Sequence, residues 1–132
     1  MNITRRALDD IVAHARDADP EECCGVLLGV GDRITTVVRA RNVEGSTTRF
    51  LLDPHDHIAA RKQARAGHQE VVGFYHSHPR SSPQPSVSDV AEWSYPEAIC
   101  VIVGAEKGRR LVHAFRIVAG AAREEALEIE CE

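Results

Sequence analysis

Leu8, Ile11, Val12 and Ala15 recur at helical spacing and predict an amphipathic helix over roughly residues 4–17, ended by Asp19-Pro20. Cys23 to Val30 is a nearly continuous apolar run, the pattern of a strand covered on both faces. Gly31-Asp32 turns the chain, and Ile34, Val37, Val38 and Ala40 predict a second strand. A polar loop, Glu44 to Thr48, leads to a short strand expected at Arg49–Leu52. Asp53-Pro54 reads as a helix start, with Asp as N-cap and Pro in the first turn. That helix runs to about Ala66 and stops at Gly67. Strands are expected at Glu70–His76, Ile99–Val103, Leu111–Val118 and Ala126–Ile129, with a short helix from Ser86 to about Trp93. No internal repeat or break in composition divides the chain. The prediction is therefore one α/β domain over residues 1–132, a central mixed sheet flanked by helices.

Composition narrows the function. Apolar residues make up 43% and charged residues 27%, enough for a packed core and too balanced for disorder. The formal net charge of −4 offers no electrostatic case for nucleic acid or an acidic membrane surface. Aromatics are only 5%, so no base-stacking platform is in view. The first twenty residues carry charge throughout and lack the apolar core of a signal peptide. No stretch approaches the ~20 apolar residues of a membrane helix. The expected compartment is the cytoplasm.

The four cysteines, Cys23, Cys24, Cys100 and Cys131, form no C-x-x-C. Cys23 and Cys24 would point to opposite sides of a strand, each as a small buried hydrophobe.

Chemistry concentrates in GFYHSHPRSSPQPSVSDVAEW, residues 73–93. Side chains at i and i+2 of a strand share a face, with Cα atoms ~6.5–7 Å apart, so His76 and His78 can converge on one ion. His55-Asp56-His57 repeats the lettering at a helix start, where i and i+2 diverge; it reads as solvated helix surface. A catalytic zinc takes three protein ligands and leaves a position for water. Asp89 fits as the third ligand, but Ser86-x-x-Asp89 is equally a capping box. A hydrolytic site also needs a proton acceptor, and no H-E-x-x-H supplies one. Glu21 and Glu22, before the apolar strand, are candidates for it or plain solvated charges.

Glu22-Cys23-Cys24-Gly25 followed by Val26-Leu27-Leu28-Gly29 resembles the E-x-C-G-x-L-x-G opening of the JAMM (MPN-plus) metalloproteases. His76-Ser77-His78-Pro79 with Ser86 and Asp89 resembles that family's H-[ST]-H-P-x6-S-x2-D signature, without a gap. The resemblance spans nearly the whole chain and implies a layering like that of cytidine deaminases. It implies one zinc per chain on His76, His78 and Asp89, Glu22 as general acid/base, and Ser86 as donor to the developing oxyanion. Pro79, Pro83 and Pro85 would stiffen the loop that returns Asp89 to the histidines. Gly25 and Gly73 are sites of close backbone approach or of ordinary packing.

The implied activity is hydrolysis of a peptide or isopeptide bond after the C-terminal tail of a ubiquitin-like or sulfur-carrier-type protein. Lacking long insertions, the chain resembles the compact prokaryotic members. Three rivals exist. A thiol protease with Cys24 as nucleophile leaves Glu22 and Asp89 without work. A zinc deaminase needs H-x-E and P-C-x-x-C, and neither occurs. A non-catalytic MPN-type scaffold would have lost ligand positions that are all filled here.

Overall fold

Two extended segments far apart in sequence meet at the centre of the molecule, and their pairing positions everything else. The computed structural model describes residues 1–131. Strand β2 (Cys24–Val30) is buried from Cys24 to Gly29, as its apolar run demands. Across the Gly31-Asp32 turn it pairs antiparallel with β3 (Arg33–Ala40), and on its other side antiparallel with β4 (Glu70–Ser77). Strand β5 (Ile99–Glu106) lies parallel to β4, and β6 (Arg109–Val118) and β7 (Ala121–Glu125) follow antiparallel. Short strands β1 (Asn2–Ile3) and β8 (Glu128–Ile129) extend the other side, giving the order β7-β6-β5-β4-β2-β3-β1-β8. The two outermost strands, β7 and β8, are separated in sequence only by Ala126 and Leu127. The mixed sheet is therefore curled.

Helix α1 (Arg5–Ala18) packs on one face. Thr4 caps it by accepting the Ala7 N–H at 3.1 Å. Its Ala7, Ile11 and Ala15 join Leu27, Tyr75 and Val101 in the main core. Burying one such aliphatic side chain contributes about 1.5–3 kcal/mol. Helix α2 (Pro54–Ala66) covers the other face, setting Ala60 and Ala64 against Val26, Leu28 and Phe74. Asp53 caps it by accepting the His55 N–H at 2.8 Å. Helix α3 (Val87–Glu92) lies in the connection between parallel strands β4 and β5. A Cβ at Gly25 would run into the Tyr75 ring, and one at Gly73 into Ile99, so both are sites of close approach.

The predicted strand at Arg49–Leu52 is not formed; a single bridge joins Asn42 to Leu52. Side chains have taken the backbone groups a ladder would use. Asn42 Oδ1 accepts from Glu44 N and Leu51 N at 3.1 and 2.9 Å, and Ser46 Oγ accepts from Thr48 N and Arg49 N at 3.1 and 3.2 Å. Strand β7 was not predicted, because Ala-Ala-Arg-Glu-Glu lacks β-branched residues; pairing with β6 alone holds it extended. Strands β5 and β6 also run past their expected ends to a two-residue turn, Lys107-Gly108, with φ of 51° and 75°. His57 is half-buried rather than solvated, its ring edge-on to Phe74 at 5.1 Å between centroids.

Candidate metal centre and active site

The β2–β4 register sets Cys24 opposite His76, across a separation of some fifty residues. Glu22 precedes that pair by two residues and lies at the same end of the sheet. Its backbone is pinned by the loop after β3. Glu22 N donates to Ser46 O at 2.8 Å, and Asn42 Nδ2 donates to Glu22 O at 3.0 Å. Glu22 is 6% exposed. Burial pushes its carboxyl up to about 7; the charge of His78 opposes the rise and that of Asp89 adds to it. A carboxyl poised there can take a proton and return it near neutral pH.

His76 is the penultimate residue of β4, sharing a face with Phe74 and 2% exposed. Ser77 points to the α1 side, where its Oγ accepts the Cys23 N–H at 2.8 Å. His78 lies just past the strand, tied to β5 by its N–H to Val103 O at 2.7 Å. Its Nδ1 is 3.0 Å from Ser82 O, a contact that fits a proton on Nδ1 and a lone pair on Nε2. The two Nε2 atoms are 3.2 Å apart, and Asp89 Oδ2 lies 3.0 Å from that of His76 and 3.1 Å from that of His78. Among the described residues this is the only group of three His, Cys, Asp or Glu side chains whose ligand atoms converge within 4.8 Å.

Asp89 also completes the capping box: Ser86 N donates to its Oδ2 at 2.9 Å, and Asp89 N donates to Ser86 Oγ at 3.0 Å. The capping reading of Asp89 is borne out, and the same carboxylate oxygen also faces both histidines. Burial raises the Asp89 carboxyl, but its hydrogen bonds with His76 and His78 outweigh this and hold it well below the usual carboxylate range. Burial drives His76 towards the neutral form, against the pull of Asp89. Burial works against a proton on His78, but its hydrogen bonds with Asp89 and Ser82 O outweigh this and raise its affinity, so without an ion the three groups share protons in the place a divalent cation would take. The donor set is one that divalent zinc accepts.

Ser86 is brought to the cluster through its cap, exposed, with Ser88 Oγ at 3.1 Å. Cys23 and Cys24 are 2% and 0% exposed. Burial pushes the Cys24 thiol up to about 12, so a thiolate nucleophile is disfavoured there. His55 and His57 are not drawn into the cluster.

Sequence reasoning missed a cleft beside it. Phe50 stacks on His76, with centroids 4.4 Å apart and planes at 21°. With Leu51, Phe74, Trp93 and Tyr95 it lines an apolar hollow of about 330 Å³ that reaches Asp89. The available signal was scarcity. In a chain of few aromatics, Phe50 comes just after a polar loop and Trp93-x-Tyr95 lies within six residues of Asp89.

Residues 4–118 match the family of prokaryotic homologs of the JAB domain. The chain is 33% identical over 121 residues to the desampylase of Haloferax volcanii, covering 86% of both chains. It is 34% identical over 122 residues to the CysO-cysteine peptidase of Mycobacterium tuberculosis, covering 90% of this chain and 84% of that one. Among solved structures, protein DSY2949 from Desulfitobacterium hafniense matches with a TM-score of 0.91 at 29% identity, over 99% of this chain and 93% of that one. AF2198, a JAB1/MPN domain protein from Archaeoglobus fulgidus, shares the fold at a TM-score of 0.63 and 23% identity, over 98% of both chains.

Proposed function

The chain belongs to the prokaryotic homologs of the JAB domain, and from that premise we propose that it is a zinc-dependent peptidase or isopeptidase. Its substrate is a ubiquitin-like or sulfur-carrier-type protein, cut after the C-terminal tail. The observation that carries the reading is the convergence of His76, His78 and Asp89 beside the buried Glu22. The names of the relatives, desampylase and CysO-cysteine peptidase, point to the same substrate class.

His76, His78 and Asp89 would hold the zinc, which would supply Lewis acidity at the scissile bond. Glu22 takes the proton from the attacking water and delivers it to the leaving nitrogen. Its raised affinity for protons suits both halves of that transfer. Ser86 Oγ accepts from Asp89 N, which leaves its O–H free to donate to the carbonyl oxygen as charge develops. The apolar hollow from Phe50 to Tyr95 receives a bulky side chain of the extended tail and leads the scissile carbonyl towards Asp89.

The deciding substrate is a ubiquitin-like protein with a C-terminal peptide extension. The parent protein, carrying about one zinc, should cleave it, lose activity to a chelator and regain it with zinc. Glu22→Gln should keep its zinc while turnover falls roughly 10²–10⁴-fold. Cleavage by Glu22→Gln at the parent rate, with zinc measured in both proteins, would reduce Glu22 to an ordinary strand-end charge.

A further inference from the structure

A second hollow, of about 400 Å³, lies on the other side of the sheet from His76. Ala15 and Val103 of the α1-side core line it, as does Ser77, the residue that faces away from the metal cluster. Its near wall is His78 and the Pro79-Arg80 turn, so the hollow adjoins one residue of the His76–His78–Asp89 cluster. Its far wall is the β5–β6 hairpin, and there the charge is one-sided.

Arg80, Lys107, Arg109 and Arg110 border the hollow, against two carboxylates, Asp19 and Glu106. Arg80 pairs with Asp19 at 2.9 Å. Among the described residues no ion pair involves Lys107, Arg109 or Arg110, a lack they share with Arg5, Arg6, Arg61, Lys62, Arg65 and Arg123; what sets the three apart is their place together on one hollow. Arg110 also borders the adjoining hollow, together with Arg5, Arg16 and one carboxylate, Asp9; Arg16 pairs with Asp17 at 3.6 Å. A chain of net charge −4 has thus collected cations on one concave strip. Three of them sit on or beside a tight two-residue turn, which presents them from a stiff hairpin. Among the described residues no Phe, Tyr or Trp lines the cationic hollow, so it offers no platform of the kind that stacks successive bases.

We propose that this strip docks an acidic surface on the folded body of the protein substrate, holding the body while its tail occupies the metal site. The inference rests on the peptidase reading above and adds how the substrate is selected. Complementary charge acts on encounter and specificity, and it is screened by salt. The strip should therefore matter for a whole protein and not for its severed tail.

The triple variant Lys107→Glu, Arg109→Glu, Arg110→Glu tests this on two substrates: the whole carrier protein with a C-terminal extension, and a synthetic peptide of its tail and extension alone. We expect kcat/KM on the protein to fall at least about tenfold, mainly through KM, with the gap closing between about 0.05 and 0.5 M salt. The peptide should be cleaved at the parent rate. Equal losses on both substrates, or no loss on the protein, would overturn the proposal.

A binding measurement decides the point without turnover, and so separates failure of the docking surface from failure of the peptidase reading. Fluorescein-labelled poly-glutamate of about 20 residues is titrated and followed by anisotropy. Salt-sensitive binding to the parent that the triple variant loses supports the proposal. No binding to the parent, displacement by equimolar inorganic phosphate, or tighter binding of a single-stranded oligonucleotide would each refute it.

Discussion

Asp89 Oδ2 lies within hydrogen-bond reach of His76, His78 and the Ser86 N–H together, so one oxygen both closes a helix end and faces the proposed ion site. The two duties separate by substitution. Asn retains an oxygen for the Ser86 N–H but loses the charge a zinc ligand needs. Asp89→Asn should fold with little loss of stability and hold only a small fraction of the parent's zinc; Asp89→Ala should lose the metal and a further ~0.5–2 kcal/mol of cap energy. Elemental analysis and thermal unfolding of the metal-free proteins check both, and full zinc in Asp89→Ala would leave Asp89 a cap alone. Glu22 gives the second prediction at this scale. Its folded carboxyl titrates near 7, above the ordinary 4.5. Between those values the native state keeps a proton that the unfolded chain has lost, so its stability falls as pH rises through that window. Glu22→Gln cannot ionise. In the chelated proteins it should be more stable than the parent at about pH 8, by at most about 3 kcal/mol, and the two should converge below about pH 4.5. A constant difference across that range would mean that Glu22 is not burdened by burial.

The loop from Arg41 to Asp53 is the least regular element, and it bears most directly on the substrate. Phe50 covers His76, and Leu51, 52% exposed, lines the neighbouring hollow without belonging to the core. Leu51→Ala should change stability by no more than about 0.5 kcal/mol. It should raise KM for a tail-bearing substrate roughly tenfold, the scale of a few lost methylenes in a pocket. A substrate with Ala in place of the bulky tail residue should show no such difference between the two enzymes; an equal rise on both would place Leu51 outside the subsite. The exposed Arg49–Glu92 pair across the same region, at 3.3 Å, is too solvated to contribute more than about 0.2–1 kcal/mol. This loop also shows what the residues alone can tell. Long periodic runs such as Leu8 to Ala15 or Cys23 to Val30 override local alternatives, and their elements are legible in advance. Strand geometry alone let His76 and His78 be paired in advance; Asp89 stood open between a ligand and a cap, and only the likeness of its string to the JAMM signature joined it to them. In the Arg41–Asp53 loop, Asn42 and Ser46 compete for the backbone, and only the folded context decides the contest. The aromatic hollow was illegible for a related reason. Its walls come from four separate segments, and no spacing within one segment records their meeting.

At the scale of the molecule, the metal cluster sits where independent pieces are tied together. His76 lies near the end of β4, His78 is bonded to β5, and Asp89 belongs to α3, which the Pro79–Pro85 loop joins to them. The main core lies on the other face, around α1, and contains none of the three. Zinc should therefore stabilise the protein without being required for its fold, unlike a small zinc finger. A ligand that binds only the native state adds RT ln(1 + [L]/Kd), about 4.1 kcal/mol at a thousandfold excess over Kd. For a chain of this size each kcal/mol moves the midpoint by roughly 2–8 °C. Chelation of the parent should therefore lower its unfolding temperature by on the order of 10 °C or more while leaving a cooperative transition and an unchanged far-ultraviolet spectrum. His78→Ala, which cannot complete the ligand set, should unfold at the same temperature with and without chelator. Loss of the cooperative transition on chelation would show that the zinc organises the core. A parent stripped of zinc with no fall in midpoint would show that the cluster is not linked to the native fold at all.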